Sequence, residues 1–282
     1  MINALAGDAE LGERDFRILA GILRDEARIA LSPVKRTLVQ SRLGRRLRQH
    51  GLGDFGAYVR LVQEDADERR AMVTALTTNH THFFRERHHF DHFTADVRPM
   101  LQQAAGRRSV RLWSAGSSSG EEVYSLAMCL AGSSRPAGEW LANRDVRLLA
   151  SDVSAPMVTA TAAARYSRET VAAVPADYAS AWLKRDEGGA TISPFLVERV
   201  HARMLNLFDA WPMTRKFDVI FCRNVMIYFD DPAKRELELR LVQQLQPGGF
   251  LYIGHSERLG GEAEAQMESM GHTIYRKPGT LP

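Results

Sequence analysis

A change in hydrophobic patterning near residue 110 constrains this 282-residue chain more than any other feature. Before it, apolar residues recur at helical spacing, as in Phe16, Leu19, Ala20 and Leu23. After it, short apolar runs alternate with helical stretches. Val110–Ser114, Val146–Ser151, Phe217–Cys222 and Gly249–Gly254 read as strands. Helices open near Glu121 and at Ser154-Ala155-Pro156, and a further one covers Glu236–Leu245. Strand–helix alternation predicts an α/β fold, a doubly wound parallel sheet with helices on both faces. The expected organisation is a small all-α N-terminal domain over 1–78, a linker helix over 79–108 and an α/β domain over 109–282. Gly188-Gly189 with Ile192, Phe195 and Val197 predicts a small β insertion at about 166–203.

The first domain carries its own signals. Ser32-Pro33 starts a helix with proline in the first turn. In that helix Val39, Leu43 and Leu47 form an apolar stripe, with Arg42, Arg45 and Arg48 round the other side. Gly51-Leu52-Gly53 breaks the helix and Asp54-Phe55 restarts it. Between residues 14 and 50 stand Arg14, Arg17, Arg24, Arg28, Lys35, Arg36, Arg42, Arg45, Arg46 and Arg48, against only Asp15, Asp25 and Glu26. That local excess, in a chain of net charge +3, points to an acidic partner.

Composition removes several classes. At 45% hydrophobic and 25% charged residues, the chain can bury a core without metal or disulfide staples. Cys129 and Cys222 sit in apolar runs and read as buried free thiols, as in a reducing cytoplasm. No apolar run reaches the ~18–20 residues that span a bilayer. The first ten residues lack the basic start and apolar core of a signal peptide. A cytoplasmic protein is expected.

Doubly wound sheets bind ligands beyond the carboxyl ends of their strands. The loop after the first strand, Ser114-Ala-Gly-Ser-Ser-Ser-Gly120, lets a ligand approach the backbone closely. It is neither Gly-x-Gly-x-x-Gly nor a P-loop. Glu121-Glu122 follow at the helix start, where acids also suit the helix dipole. They would repel a pyrophosphate but suit S-adenosylmethionine, which has no phosphate and carries an ammonium and a sulfonium. Asp152 closes the second strand, where a carboxylate accepts two bonds from a ribose diol; a cap for the next helix, with Ser154, is the alternative.

Four blocks then carry a resemblance. They are Leu76-Thr-Thr-Asn-His-Thr-His-Phe-Phe-Arg-Glu-Arg-His-His-Phe90, Trp113-Ser-Ala-Gly-Ser-Ser-Ser-Gly-Glu-Glu-Val-Tyr-Ser125, Phe217-Asp-Val-Ile-Phe-Cys-Arg-Asn-Val-Met-Ile-Tyr-Phe229 and Gly254-His-Ser-Glu257. In this order they resemble the CheR family, the chemotaxis-receptor glutamate methyltransferases, over nearly the whole chain. The resemblance implies a helical domain followed by a Rossmann-like S-adenosylmethionine-dependent methyltransferase domain with a small β insertion. It implies that Asn79, Thr81 and Arg85 clamp the cofactor, with Arg85 matching its carboxylate. It also implies that Glu121 meets the ammonium or neighbouring polar groups, Asp152 the ribose, Asn206-Leu207 the adenine and Arg223-Asn224 the methionine portion, with Tyr228 near the transferring methyl. Arg87 and Val123 stand where proline or a small residue is common, and Ser117 replaces a frequent cysteine; none of these removes a polar ligand. The implied partners are glutamate-rich cytoplasmic receptor helices, with Arg42, Arg45 and Arg48 docking on them at membrane receptor arrays. Direct membrane insertion is not expected, and a monomer is the default.

The chemistry agrees. A glutamate acceptor, whose side chain ordinarily titrates at about 4.3, is already ionised at neutral pH. No strong general base is required, and none is evident. Five of the nine histidines fall in 80–92, with His88 and His92 one helical turn apart, but no cysteine accompanies them and no metal is expected. A nucleic-acid methyltransferase could use the basic domain on phosphates, yet Arg223–Tyr228 is not an Asn-Pro-Pro-Tyr-type loop. A non-catalytic nucleotide sensor would not need Tyr228 and the full motif set.

Overall fold

The computed structural model describes residues 9–281, so most of the decapeptide read for a leader lies outside the described residues. The chain divides into two compact units. One runs up to Thr78 and adds Tyr228–Asp230; the other holds Asn79–Ile227 and Asp231 onward.

The first unit contains α1 (Glu13–Ala27), α2 (Arg36–Gln49), α3 (Phe55–Glu64) and α4 (Ala66–Leu76). α1 buries Phe16, Leu19, Leu23 and Ala27; α2 buries Val39, Leu43 and Leu47, as their spacing requires. The side chain of Asp54 accepts from Ala57 N at 2.7 Å and caps α3. Asp65 accepts from Asp67 N at 2.7 Å and Glu68 N at 3.2 Å and caps α4. Tyr228 and Phe229 join this unit through backbone pairing with Ala30 and Ile29.

Two arginines of α2 have duties within the unit. Arg42 was expected to face outward with Arg45 and Arg48, but its guanidinium donates to Leu76 O (2.8 Å), Thr77 O (3.0 Å) and Thr78 Oγ1 (3.2 Å). It thereby satisfies the free carbonyls at the C-terminus of α4, where a cation also suits the helix dipole. Arg46 donates from Nε to Glu68 Oε1 at 2.9 Å. Glu68 is only 3% exposed and also meets Tyr58 OH and His50 Nε2, each at 2.7 Å. A carboxylate on α4 at this depth is tolerated because α2, through Arg46 and His50, and α3, through Tyr58, supply it with donors.

The second unit is built on a seven-stranded sheet of order β6-β2-β1-β7-β8-β10-β9. Its strands are β1 (Val110–Ala115), β2 (Val146–Asp152), β6 (Val200–Met204), β7 (Phe217–Cys222), β8 (Leu245–Ile253), β9 (Glu268–Gly271) and β10 (Ile274–Arg276). The first five pair in parallel, and β10 and β9 close one edge antiparallel. β1 lies between β2 and β7, so the strand order reverses there and a crevice opens beyond the strand ends. Phe83, Phe84, Phe90 and Phe93 pack in the core of this unit, and Trp113 and Phe221 are fully buried. Cys129 and Cys222 are buried free thiols; burial pushes the Cys129 thiol up to about 12.

The insertion differs in detail from its expected form. A separate sheet pairs β3 (Arg165–Tyr166), β5 (Gly189–Ile192) and β4 (Leu183–Asp186). Phe195 and Val197, expected as β, lie on a short helix, Pro194–Val197, because Pro194 follows Ser193 as a helix start. Val200–Met204 leaves the insertion and becomes the parallel edge strand beside β2. The helix expected over Glu236–Leu245 starts earlier, at Asp231, and Leu245 already belongs to β8. No described helix is long and apolar enough to cross a membrane.

Glu68→Gln should lower stability by about 2 kcal/mol, because an amide oxygen replaces a carboxylate among buried donors. Burial alone would raise the Glu68 carboxyl, but hydrogen bonds from Arg46, Tyr58 and His50 hold it below its usual value. Its contribution is therefore complete above the unfolded carboxyl range and is lost as pH falls through the lower folded value. Thermal unfolding between about pH 7 and about pH 3 should show wild type and variant converging at the acid end. A pH-independent gap would contradict this assignment.

Candidate functional site

The loop after β1 is shaped by two glycines. Gly116 has φ +74°, and an added Cβ would fall 2.5 Å from Val225 Cγ2. Gly120 has φ +98°, and a Cβ there would meet Tyr166 Oη at 2.7 Å. Only glycine fits such backbone at such approach. The loop thus lies against the turn after β7 at one end and the insertion at the other.

Two groups of expected site residues meet around this loop. In the first, Ser118 N donates to Asp152 Oδ2 (2.9 Å) and Ser118 Oγ donates to Asn79 O (2.9 Å). Asp152 O accepts from Leu205 N at 3.0 Å, which holds the Asn206-Leu207 turn beside the end of β2. Asn206 Oδ1 accepts from Phe208 N (3.1 Å) and shapes that turn. Asp152 Oδ1 accepts from Ser154 N (2.9 Å), so the helix-capping contact weighed from the sequence is also present. Each carboxylate oxygen has a second lone pair, so a cap and a ribose contact are compatible. Burial pushes the Asp152 carboxyl up, against the backbone N–H groups of Ser154, Ser118 and Val153.

The second group centres on Arg223, whose side chain is about 1% exposed. Its guanidinium pairs with Glu86 Oε2 at 3.2 Å and Glu122 Oε2 at 3.3 Å, and donates to Arg85 O. It also lies over the rings of Phe90 and Phe221. Asn224 Nδ2 donates to Glu86 Oε1 at 3.3 Å, and His255 Nδ1 meets the same oxygen at 3.0 Å. Burial alone would raise the Glu86 carboxyl, but Arg223, His255 and Asn224 hold it at about 2. Burial pushes the Glu122 carboxyl up, opposed by Arg223 and by the Ser114 hydroxyl, which donates to Oε1 at 2.7 Å. Burial and the Arg223 charge hold the His89 imidazole down at about 3, so the ring is neutral and its Nε2 donates to His272 O (2.9 Å).

The remaining expected residues take plainer places. Glu121 is buried and its Oε2 accepts from Ser119 Oγ at 2.7 Å. The half-buried Arg85 donates to His80 O at 2.9 Å, and Thr81 is half-buried in the same segment. Leu207 is 8% exposed. Tyr228 ends a short 3-10 turn, Met226–Tyr228, and groups with the helical unit, as do Arg42, Arg45 and Arg48. Among the described residues no group of His, Cys, Asp or Glu could hold a metal ion, and His88 and His92 do not form one.

Three residues with central contacts carried no role from the sequence: Ser118, Glu86 and Glu257. Glu257 is 1% exposed and accepts backbone N–H bonds from Gly254, Asn224 and Ile227. Glu86 and Glu257 each stand inside a recognised block. A lone acid in such a block, between buried aromatics or after a strand-ending glycine, was the available signal.

The site therefore offers carboxylates at the ends of β1 and β2, an amide turn after β6 and a second amide after β7. Two family models match the chain, CheR methyltransferase, all-alpha domain, over residues 14–77 and CheR methyltransferase, SAM binding domain, over residues 79–276. The chain belongs to the CheR methyltransferase family. This CheR protein is 39% identical over 262 residues to a probable chemotaxis protein methyltransferase of Rhizobium etli, covering 90% of this chain and 96% of the relative. It is 38% identical to chemotaxis protein methyltransferase 2 of Pseudomonas aeruginosa, covering 88% and 87%. It is 36% identical to the chemotaxis protein methyltransferase of Escherichia coli, covering 94% and 91%. It is an S-adenosylmethionine-dependent methyltransferase, and its site suits that cofactor. Asp152 is buried at the end of β2, and the acidic helix start after β1, with Glu121 and Glu122 in its first turn, favours a cationic ligand over a pyrophosphate.

Arg223→Met in this CheR protein should cost about 3–5 kcal/mol, because it leaves Glu86 and Glu122 without their common partner. Adding Glu86→Gln should recover part of that loss. Chemical denaturation of the single and double variants measures both, and purely additive effects would contradict the shared ion pair.

Proposed function

We propose that this enzyme methylates glutamate side chains of methyl-accepting chemotaxis receptors, forming glutamate methyl esters and S-adenosylhomocysteine. The supporting observation is the convergence of the linker, the β1 loop, the β2 end and the β7 turn at one crevice through Ser118 and Arg223. The names of its relatives point to chemotaxis, and the ionised acceptor explains why no general base is needed.

In this reading Asn79, Thr81 and Arg85 hold the amino-acid end of S-adenosylmethionine, with the Arg85 fork on its carboxylate. Glu121 faces the ammonium, Asp152 accepts from the ribose, and Asn206-Leu207 reads the adenine edge. Arg223 and Asn224 offer their backbone and amide oxygens to the methionine portion. The bound cofactor supplies a methyl group activated by a positive sulfonium. An acceptor carboxylate oxygen attacks in line, the O–C bond forms as the S–C bond breaks, and charge is neutralised in the transition state. The protein's task is alignment and exclusion of water, with Tyr228 orienting the acceptor. Tyr228→Phe should lower kcat about tenfold with cofactor saturating, a barrier change of about 1.4 kcal/mol. Unchanged turnover would remove this role.

The helical unit supplies the docking face. Val34, Leu38, Ser41, Arg45 and Arg48 recur in alternating steps of four and three residues, opposite Val39, Leu43 and Leu47. Val34 is 91% and Leu38 44% exposed, and Arg45 and Arg48 are exposed. Such a seam, apolar at one end and cationic at the other, suits packing along an acidic receptor helix. Arg42, which caps α4, supports the face from within. The reading places the enzyme in the cytoplasm as a monomer recruited to receptor arrays.

Incubating methyl-tritiated cofactor with receptor-bearing membranes, with RNA and with no acceptor tests the assignment. Base-labile label in a receptor band is expected; label in RNA would overturn it. Arg45→Ala with Arg48→Ala should slow receptor labelling about tenfold at low salt, and less as salt rises. S-adenosylhomocysteine affinity should stay unchanged, and unaltered labelling at low salt would discard the docking face.

A further inference from the structure

We propose that Glu257 is a positioning residue for methyl transfer, fixing the turn after β7 that carries Asn224 and leads into Tyr228. The inference rests on the methyltransfer reading above. Glu257 lies just beyond the end of β8, and β8 pairs in parallel with β7. The turn after each strand therefore opens at the same end of the sheet. The Glu257 carboxylate is 1% exposed and bridges the two turns. Oε2 accepts from Gly254 N (2.5 Å) and Asn224 N (3.1 Å), and Oε1 accepts from Ile227 N (3.2 Å). Among the described residues it forms no ion pair with a lysine or arginine. Its charge is held by backbone N–H groups alone.

Three details show that the arrangement is built for this purpose. Asn224 sits at φ +59°, a left-handed conformation that asparagine adopts more readily than other side-chain-bearing residues, and its backbone N–H in that conformation points to Glu257. Glu257 fixes its N–H, while Glu86 accepts from its side-chain amide at 3.3 Å. Gly254 must lack a side chain, because a Cβ there would lie 2.6 Å from Asn224 Nδ2 and 2.8 Å from Glu257 Oε2. A carboxylate is also the right group chemically, since it accepts on both oxygens and donates nothing. Glutamine in its place would turn an NH2 group toward at least one N–H donor. Burial pushes the Glu257 carboxyl up, against the N–H groups of Gly254, Asn224 and Ile227. The contact thus costs desolvation, which the backbone N–H groups offset. Its effect is to give the Asn224 amide one geometry. A misplacement of about 1 Å at a reacting centre can cost about a hundredfold in rate.

Glu257→Gln in the full chain tests this. With tritiated cofactor saturating and receptor-bearing membranes as acceptor, kcat should fall at least about tenfold. S-adenosylhomocysteine should still bind with full stoichiometry by calorimetry, with its affinity lowered by a smaller factor than kcat. Hydrogen exchange should show lost protection confined to the amides of Gly254, Asn224 and Ile227. Wild-type kcat, or cofactor affinity lowered as much as kcat in a folded variant, would overturn the proposal. If Glu257→Gln does not fold, Gly254→Ala crowds the same contact from the other side and should reproduce the kcat loss; normal turnover in it would overturn the proposal equally. Wild-type protein that labels no receptor would count against the acceptor assignment instead, and the exchange and calorimetric readouts would still decide the clamp.

Discussion

The buried guanidinium of Arg223 is the contact on which the site depends. It joins three segments far apart in sequence: the linker through Arg85 O and Glu86, the helix after β1 through Glu122, and the end of β7 to which it belongs. An arginine at this depth is tolerable only because two carboxylates, a carbonyl and two aromatic faces surround it. Its planar, multi-donor head is what allows one residue to hold several partners at fixed angles. The linker is consequently a wall of the crevice, although it precedes the first strand of the sheet.

The same network sets the charge of the crevice. Arg223 is committed to Glu86 and Glu122, so its positive charge is spent internally. Asp152 and Glu121 add further carboxylates nearby, both anchored by the β1 loop through Ser118 and Ser119. The balance favours a ligand with positive groups and no phosphate, which is the character of S-adenosylmethionine. Two carboxyls, Glu122 and Asp152, are pushed up by burial while Glu86 is held down at about 2. Neighbouring acids thus differ in how readily they carry charge: burial outweighs the donors at Glu122 and Asp152, and the donors outweigh burial at Glu86.

The helical unit follows the same rule on a smaller scale. One buried carboxylate, Glu68 on α4, gathers donors from two other helices, and one arginine of α2, Arg42, closes the end of α4. Charge that looked like a single basic face is therefore divided. Some of it fastens helices together, and the rest, Arg45 and Arg48 with Val34 and Leu38, is left outward.

The sequence by itself determined the fold class, the helical unit, the β1, β2, β7 and β8 strands, and the buried aromatics, because apolar periodicity records which face must leave water. It also marked Asp152, Glu121 and the glycine-bearing loop, because local chemistry at a strand end is written in consecutive residues. It did not determine that Val200–Met204 would leave the insertion for the main sheet, since a short apolar run does not name its partner strand. Nor did it show that Arg42 would cap α4, that Glu86 would meet Arg223, or that Glu257 would hold the turn of Asn224. Those pairings join residues from about 30 to nearly 140 positions apart. Charged side chains acquire partners only when packing brings distant segments together, because the cost of burying each charge is met by whatever donors the tertiary structure places beside it.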